Sequence, residues 1–192
     1  MVHRSTVDAG RAMHGSILVA FERYAATRLG AGGLAQVRRE SGIGEKVFLA
    51  VQTYSDEDAF SLIGTTSRIT ATDVHVLLED FGRFLAPELI SMYGMLADPR
   101  WRTLEFLENV ESTIHRVVRL RNPGAQPPEI RCERTGVNEA VVTYGSARRL
   151  CALARGLIQG VAGHYGQRVT IQEPSCMHRH APHCRIVVRI ES

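Results

Sequence analysis

The chain has 192 residues and a mass of 21.3 kDa, and 44% of its residues are hydrophobic against 22% charged, a balance that excludes intrinsic disorder and allows a full buried core. A formal net charge of +3 is too small to mark a nucleic-acid surface by itself. There is no apolar run of the roughly 18 residues that a membrane span needs, and no apolar signal-peptide core near the N-terminus, so a reducing, cytoplasmic setting is expected.

Residues 1–12 read as a polar extension, and a single domain is expected over 13–192. From Gly15 to Leu29 the apolar residues Ile17, Leu18, Phe21, Tyr24, Ala25 and Leu29 recur at three- and four-residue steps, which predicts an amphipathic helix ending at Gly30. A short second helix fits Gly33 to Arg39. Ser55 followed by Asp58 signals a helix start, with Phe60, Leu62 and Ile63 as its inner positions. Thr72 is the expected cap of the next helix, whose inner stripe is Val74, Leu77, Leu78, Phe81 and Leu85. Pro87 is expected to break that helix.

The segment Thr103–Leu120 predicts a helix with Leu107, Val110, Ile114 and Val117 on one face, and His115 falls at the edge of that stripe. An imidazole there faces a pocket or caps the edge of the core. Asn122-Pro-Gly-Ala-Gln-Pro-Pro128 cannot be regular helix, because its three prolines restrict φ and remove donors. Strands are predicted at 129–133 and 139–144, then a helix over 148–164, then strands at 168–173 and 185–191. Helices followed by β-β-α-β-β make an α+β fold, with an N-terminal helical part leading into a C-terminal antiparallel sheet subdomain.

Three features carry chemistry. His115 is one of eight histidines and is weak alone. Tyr144-Gly-Ser146-Ala-Arg148, between a strand and a helix, offers two hydroxyls and a guanidinium to an anionic group, or else Ser146 simply caps the helix. Cys151, Cys176 and Cys184 form a thiol set in which seven residues separate the last two. Thiolates on a closed loop suit tetrahedral Zn²⁺, although a zinc-free or oxidised tail is the plainer alternative. Cys132 stands apart as a small core residue.

Taken in order and at their separations, Met13-His-Gly15, Phe106-Leu-Glu-Asn-Val-Glu-Ser-Thr-Ile-His115, the proline segment through Pro128 and Tyr144-x-Ser146-x-Arg148 resemble the H-NOX family, the heme domains related to the sensor domain of soluble guanylate cyclase. The resemblance covers the chain from Met13 onward. It implies that a heme b lies between the helical and sheet subdomains, with His115 as its axial iron ligand. Tyr144, Ser146 and Arg148 would hold its propionates, Pro128 would press on the macrocycle, and Ile17 and Phe21 would line the distal side. In relatives that hold oxygen, a distal Tyr lies five residues after the motif Arg. Here that residue is Leu153, so the resemblance implies a pocket for nitric oxide, and also carbon monoxide, unless a donor arrives from elsewhere in the fold. It further implies a switch in which nitric oxide releases His115 and a partner responds, such as a histidine kinase or a cyclic-dinucleotide enzyme, while the small net charge and the lack of a long apolar run speak for no nucleic acid or membrane partner.

Arg149-Leu-Cys151 and Cys176-Met-His…His183-Cys184 resemble the zinc-containing, stand-alone bacterial subgroup of that family. There the fourth ligand can be a His three residues before the second Cys. That position is Glu173 here, which makes Glu173 the expected ligand, with His183 or His178 as substitutes. Such a site implies structural zinc or redox sensing. A heme-free, zinc-containing binding module of related fold is the alternative. An enzyme is disfavoured, because no paired carboxylates, nucleophile elbow or phosphate loop is present.

Overall fold

The structure is a computed structural model that describes residues 12–122 and 125–191; the extension up to Arg11 and the Pro123-Gly124 pair of the proline segment lie outside the described residues. The chain divides into two compact units, one formed up to Ala71 together with Asn122–Gln126, the other by Thr72–Arg121 and the chain from Pro127 onward.

In the first unit, β1 (Ala12–His14) pairs antiparallel with β2 (Thr53–Ser55), a two-stranded ladder too short for the sequence to signal. Helix α1 (Gly15–Glu40) is two helical runs joined at Gly30, whose φ of 71° is open to glycine at no steric cost, so the stop expected there is a kink. Leu18, Ala20, Phe21, Tyr24 and Ala25 form its buried face. Ser55 caps α2 (Asp56–Ile69) by accepting from the Asp58 N–H at 3.3 Å, as its spacing predicts. Leu62 and Ile63 are buried, but Phe60 is 41% exposed: at two residues before Leu62 it falls about 200° around the wheel, off the inner face.

The second unit opens with α3 (Val74–Tyr93). Asp73, not Thr72, caps it, its carboxylate accepting from the backbone of His75 and Val76. The helix also runs through Pro87. The lost hydrogen bond is offset by packing: a Cβ on Gly82 would meet the backbone of α6 (Cys151–His164), and one on Gly160 would meet Ala86 and Arg83, so the two helices lie backbone against backbone.

The expected helix from Thr103 is three pieces: α4 (Thr103–Asn109), a π-helical turn at Glu111–His115, and α5 (Arg116–Arg121). Leu107 is buried, whereas Val110, Ile114 and Val117 are only half-buried, with Val110 and Ile114 packed beside Ala86, Phe106 and Val161. The sheet follows with β3 (Glu129–Gly136), β4 (Glu139–Gly145), β5 (Val169–Ser175) and β6 (Cys184–Ile190), all neighbours antiparallel in the order β3-β4-β6-β5. Its inner residues, Ala140, Val142, Tyr144, Ile186 and Val188, pack with Leu104 and Leu107 of α4 and Ile158 of α6. The α+β reading therefore holds, with helices first and an antiparallel sheet with helices after. Among the described residues no helix is long and apolar enough to cross a membrane.

Candidate functional site

His115 ends the π turn. Its backbone N–H donates to Val110 O at 2.9 Å, five residues back, which widens the helix by one residue and turns the imidazole off the regular stripe. The side chain is 16% exposed, and its Nδ1 lies 2.8 Å from Glu111 Oε2. Glu111 Oε1 is paired with Arg119, and the Ile130 N–H approaches Glu111 Oε2 at 3.4 Å. Burial pushes the His115 pKa down, and the Glu111 carboxylate only partly restores it, so the ring is held neutral at ordinary pH. Burial also pushes Glu111 upward, but its pairing with His115 and Arg119 outweighs this and leaves its pKa below the usual carboxylate value. With Nδ1 engaged, Nε2 carries no hydrogen bond among the described residues. A neutral imidazole fixed through one nitrogen, with the other free of hydrogen bonds among the described residues, fits a heme iron. Glu111 was not among the residues read from the sequence, yet the spacing Glu111-x₃-His115-x₃-Arg119 is a visible helical ladder.

Tyr144 lies in β4, and Ser146 and Arg148 follow in the turn after it, between the strand and the next helix as expected. Tyr144 is buried, which pushes its hydroxyl up to about 12, while hydrogen bonding to Ser146 and to the Leu150 backbone pulls the other way. Ser146 Oγ accepts from the Arg148 N–H at 3.2 Å. Arg148 is half-buried. Hydroxyls and a guanidinium gathered at one strand end are a donor set for carboxylates. Pro128, half-buried, sits immediately before β3. Leu153, half-buried, lies in the first turn of α6. Ile17 and Phe21 lie on α1, in the first unit, with Ile17 half-buried and Phe21 buried.

The second constellation is compact. Ligand atoms of Cys151, Glu173, Cys176 and Cys184 all lie within 4.8 Å of one another. Cys151 begins α6, Cys176 follows β5, and Cys184 begins β6 directly opposite Tyr144. Sγ of Cys176 is 3.6 Å from that of Cys151 and 3.7 Å from that of Cys184. Sulfurs at about 2.3 Å from a tetrahedral zinc stand roughly 3.8 Å apart, so the thiols are already spaced for one ion. Glu173 lies at the irregularity between Gln172 and Ser175 where β5 loses register with β6. Arg155 holds its Oε2 at 2.6 Å, while its Oε1 is buried with no partner among the described residues. A buried carboxylate oxygen without a donor is costly unless a cation meets it. The donor set therefore fits a zinc ion. Burial raises the thiol pKa of Cys151, and that of Cys184 to about 11; a bound cation reverses that order by favouring thiolates. His178 is exposed, with Nε2 against Arg149 O at 2.8 Å, and His183 is exposed beside Gly145, so neither joins this group. Cys132 is half-buried on β3, and burial raises its thiol to about 12.

The family description Haem-NO-binding matches residues 14–173. Among solved structures, an H-NOX protein from S. oneidensis in the Fe(II)NO ligation state is 23% identical, with a TM-score of 0.87 over 94% of this chain and 100% of that one. An H-NOX protein from K. algicida, Fe(II) and unliganded, is 20% identical, with a TM-score of 0.82 over 94% and 97%. An H-NOX variant from T. Tengcongensis is 15% identical, with a TM-score of 0.83 over 94% and 98%. No curated protein matches this sequence.

Proposed function

The chain belongs to the Haem-NO-binding family, and from that premise we propose that it senses nitric oxide through a heme whose iron is held by His115 and whose propionates are held by Tyr144, Ser146 and Arg148. Domains of this family bind heme and diatomic gases and are sensors rather than enzymes. The observation that carries the reading is the His115 ring, oriented through Nδ1 by Glu111 and without a hydrogen bond at Nε2 among the described residues. Heme, when bound, supplies an iron that takes up nitric oxide or carbon monoxide. The protein's residues do the rest. Arg148 offsets carboxylate charge that would otherwise be costly to desolvate. Ile17, Phe21 and Leu153, proposed for the distal side, are hydrocarbon and offer no donor to the partial negative charge on bound oxygen. Were His115 released from the iron, the π turn and α5 would be free to move, changing the surface seen by a signalling partner such as a histidine kinase or a cyclic-dinucleotide enzyme.

The cysteine constellation supports membership of the zinc-containing subgroup, with Cys151, Glu173, Cys176 and Cys184 as a closed structural set. Two of its thiolates can give two electrons to a peroxide, forming a disulfide and releasing the metal while the peroxide is reduced to water, which would add a redox input.

The test is an absorption spectrum of the ferrous, heme-reconstituted protein before and after nitric oxide. The expected result is a histidine-bound spectrum that loses its histidine signature when the gas is added. A protein that takes up no heme contradicts the reading and favours a zinc-only binding module. Metal analysis of the purified protein, then peroxide, tests the second site: about one zinc per chain, lost on oxidation, is expected. Zinc retained throughout, with gas-dependent signalling unaffected, removes the redox input.

A further inference from the structure

A metal-ligating imidazole is governed by what its second nitrogen touches. In this chain that partner is a full carboxylate from the same π turn. Glu111 Oε2 stands 2.8 Å from His115 Nδ1, Oε1 of the same carboxylate is engaged by Arg119, and the Ile130 N–H at the start of β3 approaches Oε2 at 3.4 Å. The three side chains fall at i, i+4 and i+8, and the five-residue turn brings the first two onto one side. Glu111 is 35% exposed and Arg119 43%, so the pair reaches the surface of α5 while the imidazole stays mostly covered.

We infer that Glu111 is a positioning residue that sets the strength of the bond between His115 and the heme iron, and that Arg119 moderates it. The inference rests on the proposed heme reading and adds what holds the ligand. A carboxylate accepting from Nδ1–H pushes electron density through the ring to Nε2 and strengthens its hold on iron. Arg119 draws on the same carboxylate from its other oxygen and weakens that push. A neutral acceptor or a backbone carbonyl at this place would leave the bond weaker and more easily broken by nitric oxide. The Glu111–Arg119 pair thus sets how readily the gas frees His115. Because Arg119 lies near the surface, a partner that engages it would alter the bond.

The experiment compares the iron–histidine stretching band of the ferrous, heme-loaded full chain by resonance Raman spectroscopy in wild type, Glu111→Gln and Arg119→Gln. Each sample is then titrated with nitric oxide and the histidine-free fraction is read by absorption. Glu111→Gln is expected to lower the stretching frequency, weaken heme retention by about 10-fold, and raise the histidine-free fraction. Arg119→Gln is expected to move the frequency the other way and lower that fraction. Glu111→Asp, whose shorter side chain loosens the contact while keeping its charge, should fall between wild type and Glu111→Gln. A merely structural role would not shift the band in opposite senses. Bands unchanged in both variants overturn the inference while leaving His115 ligation intact; a downward shift in both overturns the moderating role of Arg119. Wild-type protein with heme but no histidine band overturns the inference and the proposed ligation together.

Discussion

The two candidate metal sites of the second unit are built on opposite principles. The cysteine set is assembled before any ion arrives: its four ligand atoms come from the first residue of α6, the irregular end of β5 and the two flanks of the loop into β6, and the thiols already have zinc spacing. Its helix is clamped, because α6 meets α3 through Gly82, Gly156 and Gly160 and cannot shift without parting two backbones. His115 has no such clamp. It sits on a π turn between two short helices, among residues that are only half-buried, and is steadied by one carboxylate. The contrast teaches that a preformed, rigid set suits retention, whereas a single ligand on an irregular turn suits release. The cysteine set adjoins the residues proposed to hold the propionates: Cys184 pairs across the ladder with Tyr144, and Arg148 precedes Cys151 by three residues.

The hardest blow to the clamped side is Gly156→Ala. The added methyl would overlap the backbone of Glu79, with no flexible side chain to give way. Overpacking of this kind costs about 3 kcal/mol, so urea unfolding should show that loss, and the melting temperature should fall by roughly 6–12 °C. An unchanged midpoint would mean that α3 and α6 are not held backbone to backbone.

Next comes the carboxylate. Glu173→Ala removes the orphaned oxygen from the cysteine set and should lower zinc affinity by more than the roughly 10–100-fold cost of losing an outer contact. Competition with a chromophoric chelator measures it. Glu173→His should keep the metal; equal affinity in all three proteins would show that Glu173 is no ligand.

Tyr144 gives a pH test of the junction between the sites. Its hydroxyl is held up to about 12 in the fold against about 10 in the unfolded chain. The unfolded state therefore loses its proton first, so the stabilisation is complete below pH ~10 and is lost as pH rises toward about 12. Across that window the heme-free protein should lose about 2 kcal/mol more than Tyr144→Phe does. Equal slopes would place the hydroxyl in contact with water.

The smallest effect is expected at Arg134, whose guanidinium bridges Glu105 and Glu108 at 2.7 Å near the surface. Arg134→Ala should cost less than about 1 kcal/mol and leave both candidate metal sites unchanged. A larger loss by urea unfolding would show that this pair anchors α4 to β3.

Much of this was legible in the sequence, because periodicity reports burial directly. The four strands of the sheet, the Ser55 cap and the Gly30 interruption were readable from spacing and residue type. Pro87 misled, since a proline's local cost says nothing about the helix packed against it. The π turn was invisible because one extra residue in a helix leaves composition and approximate period intact, and only the backbone shows that His115 bonds five residues back. The proposed zinc ligands were readable as types, but their convergence depends on a strand irregularity at Glu173. Glu111 was written in the sequence as a four-residue ladder and became conspicuous only when its carboxylate proved to touch the imidazole.

Replacing His115 by alanine tests the proposed iron ligand most directly. Heme-loaded His115→Ala should lose its heme on gel filtration, or keep it only with free imidazole filling the vacated place. Heme retained without imidazole, with a ferrous absorption spectrum identical to that of the wild type, would contradict the assignment.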